Sequence, residues 1–252
     1  MTIPFQWKNC YADVASSGYG QIARAFLKEV VEPSLSALQA QLESWSRSDD
    51  PGAPFAQSDT EVLLHATTLA FCLAIQSMWE RQVRTYLRGC AEELRPGSAF
   101  AKRVMTERWE GIDRLFYDLR GISLTKFEAY GDLDLLQLLG NACRHGDGPS
   151  ARKLWDQHPD LWPQRKPSPS LFDDDTPAMP GPQSIDAIVL SQDLIRRFAD
   201  AIASFWDDAE YIYLESIEQK HASVEAKLVT MRLARATRDV AMASNLSSNI
   251  RT

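Results

Sequence analysis

Seven consecutive apolar residues, Leu69 to Ile75, lie near the middle of a helical pattern that runs from about Ser58 or Thr60 to Leu94. A helix that is apolar on nearly every face has to be surrounded by other helices, because it has no face to present to water. The chain shows neither sustained alternation of polar and apolar residues nor an Asn-Gly hairpin signal. The sequence therefore predicts an all-α fold, an up-and-down bundle of four to six helices.

The other helical patterns are expected to belong to one domain. Seven of the 13 prolines lie between Pro159 and Pro182, so this part of the chain cannot form a long regular helix and is predicted to be a surface connection. Ser191 is predicted to be the N-cap of the helix that follows it. The expected organisation is an N-terminal extension (1–19), a helical core with the candidate site (20–160), the proline-rich segment (161–184), closing helices (185–245) and a frayed tail (246–252).

The helix boundaries are predicted from apolar periodicity and from the positions of proline and glycine. The first helix is predicted to be kinked at Pro33, and Ile185 to Leu190 are predicted to form a short extended piece. A helix that starts near Asp207 is expected to continue toward Met242. The helices expected in the core span residues 21–45, 58–94, 98–119 and 133–145.

Charge and hydropathy exclude several classes of protein. The formal net charge of −7 gives no global attraction to nucleic acid or to an anionic membrane, so such binding needs a local basic patch. The N-terminus lacks the regions of a secretory signal, and the longest apolar run is far shorter than the ~20 residues that cross a bilayer. We expect a soluble cytoplasmic protein that does not bind membranes.

Metal and cofactor motifs are missing from the sequence. The four cysteines are widely spaced, and the four histidines lack ligand spacing with cysteine or carboxylate partners. The chain has no Walker, dinucleotide or Gly-x-Ser-x-Gly motif. The sequence predicts reduced thiols, no bound metal and no cofactor.

A polar cluster at the end of the fourth expected helix is where the sequence most clearly indicates chemistry. Asn141 and His145 are four residues apart, so both side chains leave one face if the helix continues through them. Residues Gly146 to Gly148 are predicted to end the helix, and Pro149 is predicted to prevent it from resuming at once. Together with the guanidinium of Arg144, these groups suit a phosphate or a ribose.

The long second helix, the short helix that ends in Asn141-Ala-Cys-Arg-His145-Gly, and a closing amphipathic helix resemble the HEPN superfamily of small all-α proteins. Ribonuclease members of that family carry an arginine, a polar residue that is usually asparagine, three further residues and a histidine. Here Asn141 and His145 match, whereas Gly140 occupies the position of the arginine. The architectural resemblance covers roughly residues 20 to 215, and the motif covers only these few.

The resemblance implies metal-independent RNA cleavage, in which the ribose 2′-hydroxyl attacks the adjacent phosphate. His145 would move the proton, and Asn141 would orient the phosphate or the histidine. Arg144, or Arg152 as a reserve, would stabilise the developing charge. A glutamate on the long helix assists in some members of the family, and Glu80 is the matching residue here.

The resemblance also implies partners. In the family two subunits bring their histidines together, so a homodimer with a composite site is expected here. A role as a toxin or phage-defence effector, with an antitoxin or regulatory protein as partner, is implied in the same way. From the residues themselves, Arg84 lies in a basic stripe with Arg81 and Arg88 that suits RNA phosphates.

Each of these residues also has a structural interpretation. His145 can interact with the helix dipole, and Asn141 can bind a loop carbonyl. Glu80 and Arg84 have the spacing of a helix-stabilising ion pair. An alternative function is therefore a non-catalytic helical interaction or regulatory protein that lacks the catalytic arginine. A third is a regulatory protein that binds its partner through the basic helix from Lys227 to Arg238.

Overall fold

The computed structural model describes residues 5–163 and 183–249, with side chains to residue 238. All regular structure in these residues is helical, which confirms the predicted all-α helical bundle. The α-helices are α1 (Tyr11–Ala15), α2 (Tyr19–Phe26), α3 (Glu32–Ser46), α4 (Ala53–Leu94), α5 (Phe100–Thr106), α6 (Trp109–Arg120), α7 (Tyr130–His145), α8 (Pro149–Gln157), α9 (Gln192–Glu215) and α10 (Ala222–Asn249).

The chain divides into two compact units, each built from discontinuous segments. The central unit comprises Gly20–Arg81 and Glu128–Ala203, and the terminal unit comprises Met1–Tyr19, Gln82–Phe127 and Ser204–Thr252. Helices α4 and α9 contribute residues to both units. The predicted proline-rich segment lies outside the described residues from 164 to 182, as does the end of the predicted tail from 250 onward.

An aromatic core holds the terminal unit together. The rings of Phe116, Phe127 and Phe205 lie with centroids 4.4–6.0 Å apart, and Trp206 meets Tyr86 edge-on at 5.3 Å. Such aromatic pairs stabilise a core by more than their buried area alone. The indole Nε1 of Trp206 donates a hydrogen bond to Gln82 Oε1 at 2.8 Å, so α9 is also tied to α4 by a buried polar contact within this unit.

A buried ion pair lies beside this core. Arg120 at the end of α6 donates to Asp13 Oδ1 on α1 at 2.6 Å, and both side chains are almost completely shielded from solvent. Asp13 also accepts hydrogen bonds from the Tyr86 hydroxyl and from the backbone N–H of Cys10, each 2.8 Å long. The Arg120 guanidinium lies 3.9 Å from the ring centroid of Trp7. These contacts offset part of the cost of removing both charges from water, while the Nε of Arg120 is buried without a hydrogen-bond partner.

The central unit has a largely aliphatic core, with a few aromatic residues, and a polar rim. Arg196 on α9 pairs with Glu32 on α3, and Arg197 pairs with Asp132 on α7, so α9 is linked to two neighbouring helices. These partly exposed pairs contribute little free energy compared with the apolar core. Its fully buried members include Leu35, Ile75, Trp79, Leu136, Leu139, Ile195, Phe198 and Ile202.

The first expected helix is interrupted before Pro33 rather than bent at it. Residues Leu27–Val31 form a π-helical turn between α2 and α3, and Pro33 lies in the first turn of α3. Proline lacks a backbone N–H and clashes with the carbonyl one turn earlier, and the widened turn accommodates both effects. The irregularity that the sequence predicts at Pro33 therefore takes the form of a π-helical turn just before it.

Helix α4 begins at Ala53, earlier than the predicted Ser58 or Thr60. Asp50 Oδ1 accepts a hydrogen bond from the Gly52 N–H at 2.7 Å, and the Asp50 carbonyl accepts one from Ala53. This turn directs the chain into the helix at once, because aspartate side chains favour such local bonds to the backbone.

Two other predicted helices differ in extent. The helix expected over 98–119 is broken between α5 and α6, because Glu107 and Arg108 adopt extended conformations with ψ of 147° and 160°. The helix expected to continue from Asp207 to Met242 is divided into α9 and α10, and Lys220 Nζ caps the end of α9 by donating to the Glu215 carbonyl at 3.1 Å. Of the extended piece expected from Ile185 to Leu190, the first three residues form a 3-10 turn, Ile185–Ala187, and Ile188 is extended with a ψ of 141°.

The predicted N-cap at Ser191 is confirmed, since its Oγ accepts a hydrogen bond from the Leu194 N–H at 3.1 Å. We expect Ser191→Ala to lower the free energy of unfolding by about 1 kcal/mol, because one N–H at the start of α9 loses its acceptor. Ser58, which lies exposed inside α4, is the matched control. Ser58→Ala is expected to leave stability unchanged or slightly raised in urea denaturation, since alanine favours a helix interior. Equal losses in the two variants would contradict the assignment of the cap.

Candidate functional site

The polar cluster lies where α7 meets α8. Helix α7 continues through Asn141 to His145, as predicted, and ends at Gly146, whose φ of +68° favours glycine. Helix α8 then begins at Pro149. The prediction that Pro149 delays the next helix was wrong, because proline lacks only an N–H that has no partner in the first turn anyway.

The three motif side chains differ in their surroundings. Asn141 is half-buried, whereas Arg144 and His145 are exposed. Within the described part of the chain, the side chains of Asn141 and His145 make no hydrogen bond or ion pair. Arg144 Nη2 donates to Gln76 Oε1 on α4 at 2.9 Å. The motif therefore presents an imidazole and a guanidinium at the surface, with the guanidinium anchored on one side.

Gln76 is the centre of a buried amide network that sequence reasoning missed. Its Nε2 donates to Gln137 Oε1 on α7 and to Glu80 Oε2 on α4, at 2.9 Å in each case. Gln137 Nε2 also donates to Glu80 Oε2 at 3.3 Å. Both glutamine side chains are buried, so their bonds inside the protein replace those lost to water. The network joins Glu80 to Arg144 through Gln76, which places two predicted site residues in one connected cluster.

Gly140 allows α7 to lie against this network. A Cβ atom at position 140 would be 2.4 Å from Gln76 Cγ and 2.8 Å from Gln76 Cβ, closer than two carbon atoms can approach. The position that carries arginine in HEPN ribonucleases is therefore closed to any side chain in this packing. A glycine in a helix interior, where it costs stability, was the only sequence signal of this close approach.

Arg84 and Arg152, the other predicted RNA-binding cations, have different environments. Arg84 lies in the terminal unit and donates to the carbonyls of Val104 at 2.6 Å and Glu107 at 3.0 Å, so it holds the end of α5. Arg152 is exposed on α8, and its side chain makes no hydrogen bond or ion pair with any described residue. Of these two, Arg152 presents a guanidinium that the described structure does not use, whereas that of Arg84 is engaged.

The turn between α7 and α8 also anchors a later part of the chain. Asp147 Oδ1 accepts a hydrogen bond from the Ile185 N–H at 2.7 Å. Trp162 Nε1 donates to the Ser184 carbonyl at 2.9 Å, and the Val189 N–H donates to the Leu161 carbonyl at 2.8 Å. The chain before residue 164 and the chain after residue 182 are thus held together beside the motif.

Cys143, between Asn141 and His145, interacts with the buried thiol of Cys72 on α4. This interaction raises the pKa of the Cys72 thiol and lowers the pKa of Cys143. In the terminal unit, Cys10 and Cys90 have Sγ atoms 3.6 Å apart. All four cysteines are free thiols that form no disulfide bond. Among the described residues, no group of three or more His, Cys, Asp or Glu side chains is arranged to hold a metal ion.

The basic residues of α10 are largely neutralised within the terminal unit. Lys227 pairs with Glu210, Arg232 pairs with Glu215, and Arg235 pairs with the buried Asp208. These pairs leave less positive charge for a partner than the sequence of the helix indicates.

Judged by length and composition alone, one helix of the described chain is long and apolar enough to cross a membrane. It is α4, in which an 18-residue window has a mean hydropathy of 1.5 and is 28% buried. The core helix of a soluble protein passes the same test, so the finding is weak evidence for a membrane span. Comparison of the chain with known protein families, curated proteins and solved structures finds no match.

Proposed function

We propose that this protein is a HEPN-like module that binds and cleaves RNA, as a toxin or phage-defence effector acting as a homodimer. The observation that supports the proposal best is the end of α7, where His145 is exposed and engaged by no described side chain, directly after an arginine that Gln76 holds in place. A helix end that offers an imidazole and a cation suits the chemistry of a phosphodiester.

In this proposal the reaction is an internal transfer of the phosphate. His145 accepts the proton of the ribose 2′-hydroxyl as that oxygen bonds to phosphorus, and it returns the proton to the departing 5′-oxygen as the P–O bond breaks. Arg144 stabilises the charge on the phosphate oxygens, and Asn141 orients the phosphate. Arg152 on α8 supplies a second phosphate contact, while Glu80 acts at a distance by holding Gln76. The products are a 2′,3′-cyclic phosphate and a 5′-hydroxyl.

A second candidate function is a non-catalytic RNA-binding or interaction module on the same scaffold. The packing of Gly140 against Gln76 favours it, because no side chain at position 140 supplies the cation of HEPN ribonucleases. In this case Arg144 and Arg152 would contact phosphates without assisting a reaction. The basic face of α10 is less favoured as a binding surface, since its charges are paired with carboxylates of α9.

The two functions are separated by assaying labelled single-stranded RNA for both binding and cleavage. We expect cleavage that leaves cyclic phosphate ends, and a loss of about 10²–10⁴-fold in rate for His145→Ala, as is typical when a general acid–base group is removed. His221→Ala, which removes an exposed histidine of the terminal unit, is the control and should retain the rate. Binding without cleavage by the unaltered protein would support the second function, and neither binding nor cleavage would exclude both.

A further inference from the structure

The exposed face of α4 in the central unit is unusually apolar. Phe55, Val62 and Leu63 are 76%, 67% and 52% exposed, and Ala66 and Ala70 on the following turns are also exposed. Isolated apolar residues on a surface are ordinary, but a contiguous apolar stripe on one helix marks an interaction surface. No described residue covers this stripe.

A narrower stripe within this face, which leaves out Phe55 and Val62, has a symmetric spacing about Ala70. Its positions are 59, 63, 66, 70, 74, 77 and 81, so the intervals are four, three and four residues on each side of the centre. Eleven residues make three helical turns to within about 20°, and the stripe therefore stays on one face of α4 from end to end. The residues at these positions are Asp59, Leu63, Ala66, Ala70, Ala74, Ser77 and Arg81, of which Ala74 and Ser77 are half-buried and the other five are exposed.

The two ends of the stripe carry opposite charges. Asp59 lies at the N-terminal end and Arg81 at the C-terminal end, and both are exposed. Neither side chain forms a hydrogen bond or an ion pair with another described residue. Between them the face is alanine-rich, which allows a second helix to approach at the short end of the usual interaxial range of about 8–10 Å.

We propose that this stripe is a homodimer interface in which α4 packs antiparallel against α4 of a second copy, with the two-fold axis at Ala70. In this arrangement Asp59 faces the partner's Arg81 at both ends of the interface, as the symmetry of a two-fold contact requires. Each charge thereby gains an opposite partner, and the apolar centre is removed from water. A second copy of the chain matches the face in charge and in spacing, whereas a lipid surface offers no counterpart to the carboxylate end.

This surface deepens the homodimer of the proposed function, yet its test does not depend on RNA. Light scattering during size-exclusion chromatography is expected to show twice the chain mass of 28.3 kDa. Ala70→Glu places a carboxylate against its own copy and is expected to yield the monomer mass. Ala40→Glu, at an exposed alanine of α3 in the same unit, is the control and should remain dimeric.

A charge exchange tests the antiparallel arrangement itself. Asp59→Lys and Arg81→Asp each create two like-charge pairs in a homodimer, so each variant alone should raise the dissociation constant roughly tenfold. Mixing the two variants forms a heterodimer in which both end pairs are again opposite in charge, and dimerisation should return.

The proposal is overturned by a monomeric protein at every concentration, by a mixture that fails to dimerise, or by a monomer that binds phosphatidylcholine vesicles through this face. If a monomeric protein cleaves RNA, the homodimer interface is wrong while RNA cleavage remains the proposed function.

Discussion

Replacing Arg120 with methionine is expected to lower the free energy of unfolding by about 3–5 kcal/mol, the largest loss we predict for an exchange of similar volume. The Asp13 carboxylate would remain buried without its cation, held only by the Tyr86 hydroxyl and the Cys10 N–H. The stack of the guanidinium on Trp7 would also be lost. Urea denaturation followed by tryptophan fluorescence measures the change, because Trp7 and Trp206 both lie in the terminal unit.

Arg88→Met is the matched control for this loss. Arg88 also lies in the terminal unit, but its side chain is 49% exposed and reaches Glu92 only at 3.8 Å. Such a pair contributes less than about 1 kcal/mol. The double variant Asp13→Asn with Arg120→Met should be more stable than Arg120→Met alone, since the unpaired charge is gone. If Arg120→Met costs no more than Arg88→Met, the buried pair does not stabilise this unit.

The second large effect is expected for alanine substitutions at two glycines of α7, Gly140 and Gly131. They should change the free energy of unfolding in opposite directions. Gly140→Ala should lower the free energy of unfolding by about 1–3 kcal/mol, because its Cβ would overlap the first two side-chain carbons of Gln76. The Cβ of Gln76 is fixed by the backbone and its Cγ moves only if the χ1 angle changes, so relief of the overlap must also shift the amide network to Gln137 and Glu80. The gain in helix propensity is smaller than this cost.

Gly131→Ala supplies the control within α7. A Cβ at position 131 meets nothing within 4 Å. We therefore expect Gly131→Ala to raise the free energy of unfolding by up to about 1 kcal/mol, through helix propensity and a less flexible unfolded chain. Thermal or urea denaturation of the two variants should move in opposite directions. A Gly140→Ala protein as stable as Gly131→Ala would contradict the close packing of α7 on α4.

Features that depend on near neighbours in the chain were predictable from sequence. The cap at Ser191 and the end of α7 at Gly146 both follow from residues within one helical turn. The start of α4 was missed although the turn at Asp50 that sets it is local. The break after α5 was missed because the guanidinium of Arg84, 20 residues from Val104, holds the end of that helix. Tertiary contacts such as this one override propensity over a few residues.

The candidate site shows the same division. The spacing of Asn141 and His145 was visible in the sequence, whereas the network around Gln76 was not, because Gln137 is 61 residues away. In the sequence, Gly140 stood out only because it replaces the arginine of HEPN ribonucleases. The structure adds a steric reason for a glycine at this position, which is the close approach of Gln76. The ion pair of Asp13 and Arg120 was also invisible, since 107 residues separate the two. The HEPN-like assignment and the homodimer stay predictions.

The discontinuous build of the terminal unit has a consequence during synthesis on the ribosome. Gln82 is made 124 residues before Trp206, its hydrogen-bond donor, and translation at about 5–20 residues per second separates the two by roughly 6–25 s. For most of that interval Tyr86 has been made without Trp206, and for a shorter part of it Phe116 has been made without Phe205. The nascent chain therefore exposes its most aromatic surface for seconds, and a chain that terminates before α9 never covers it.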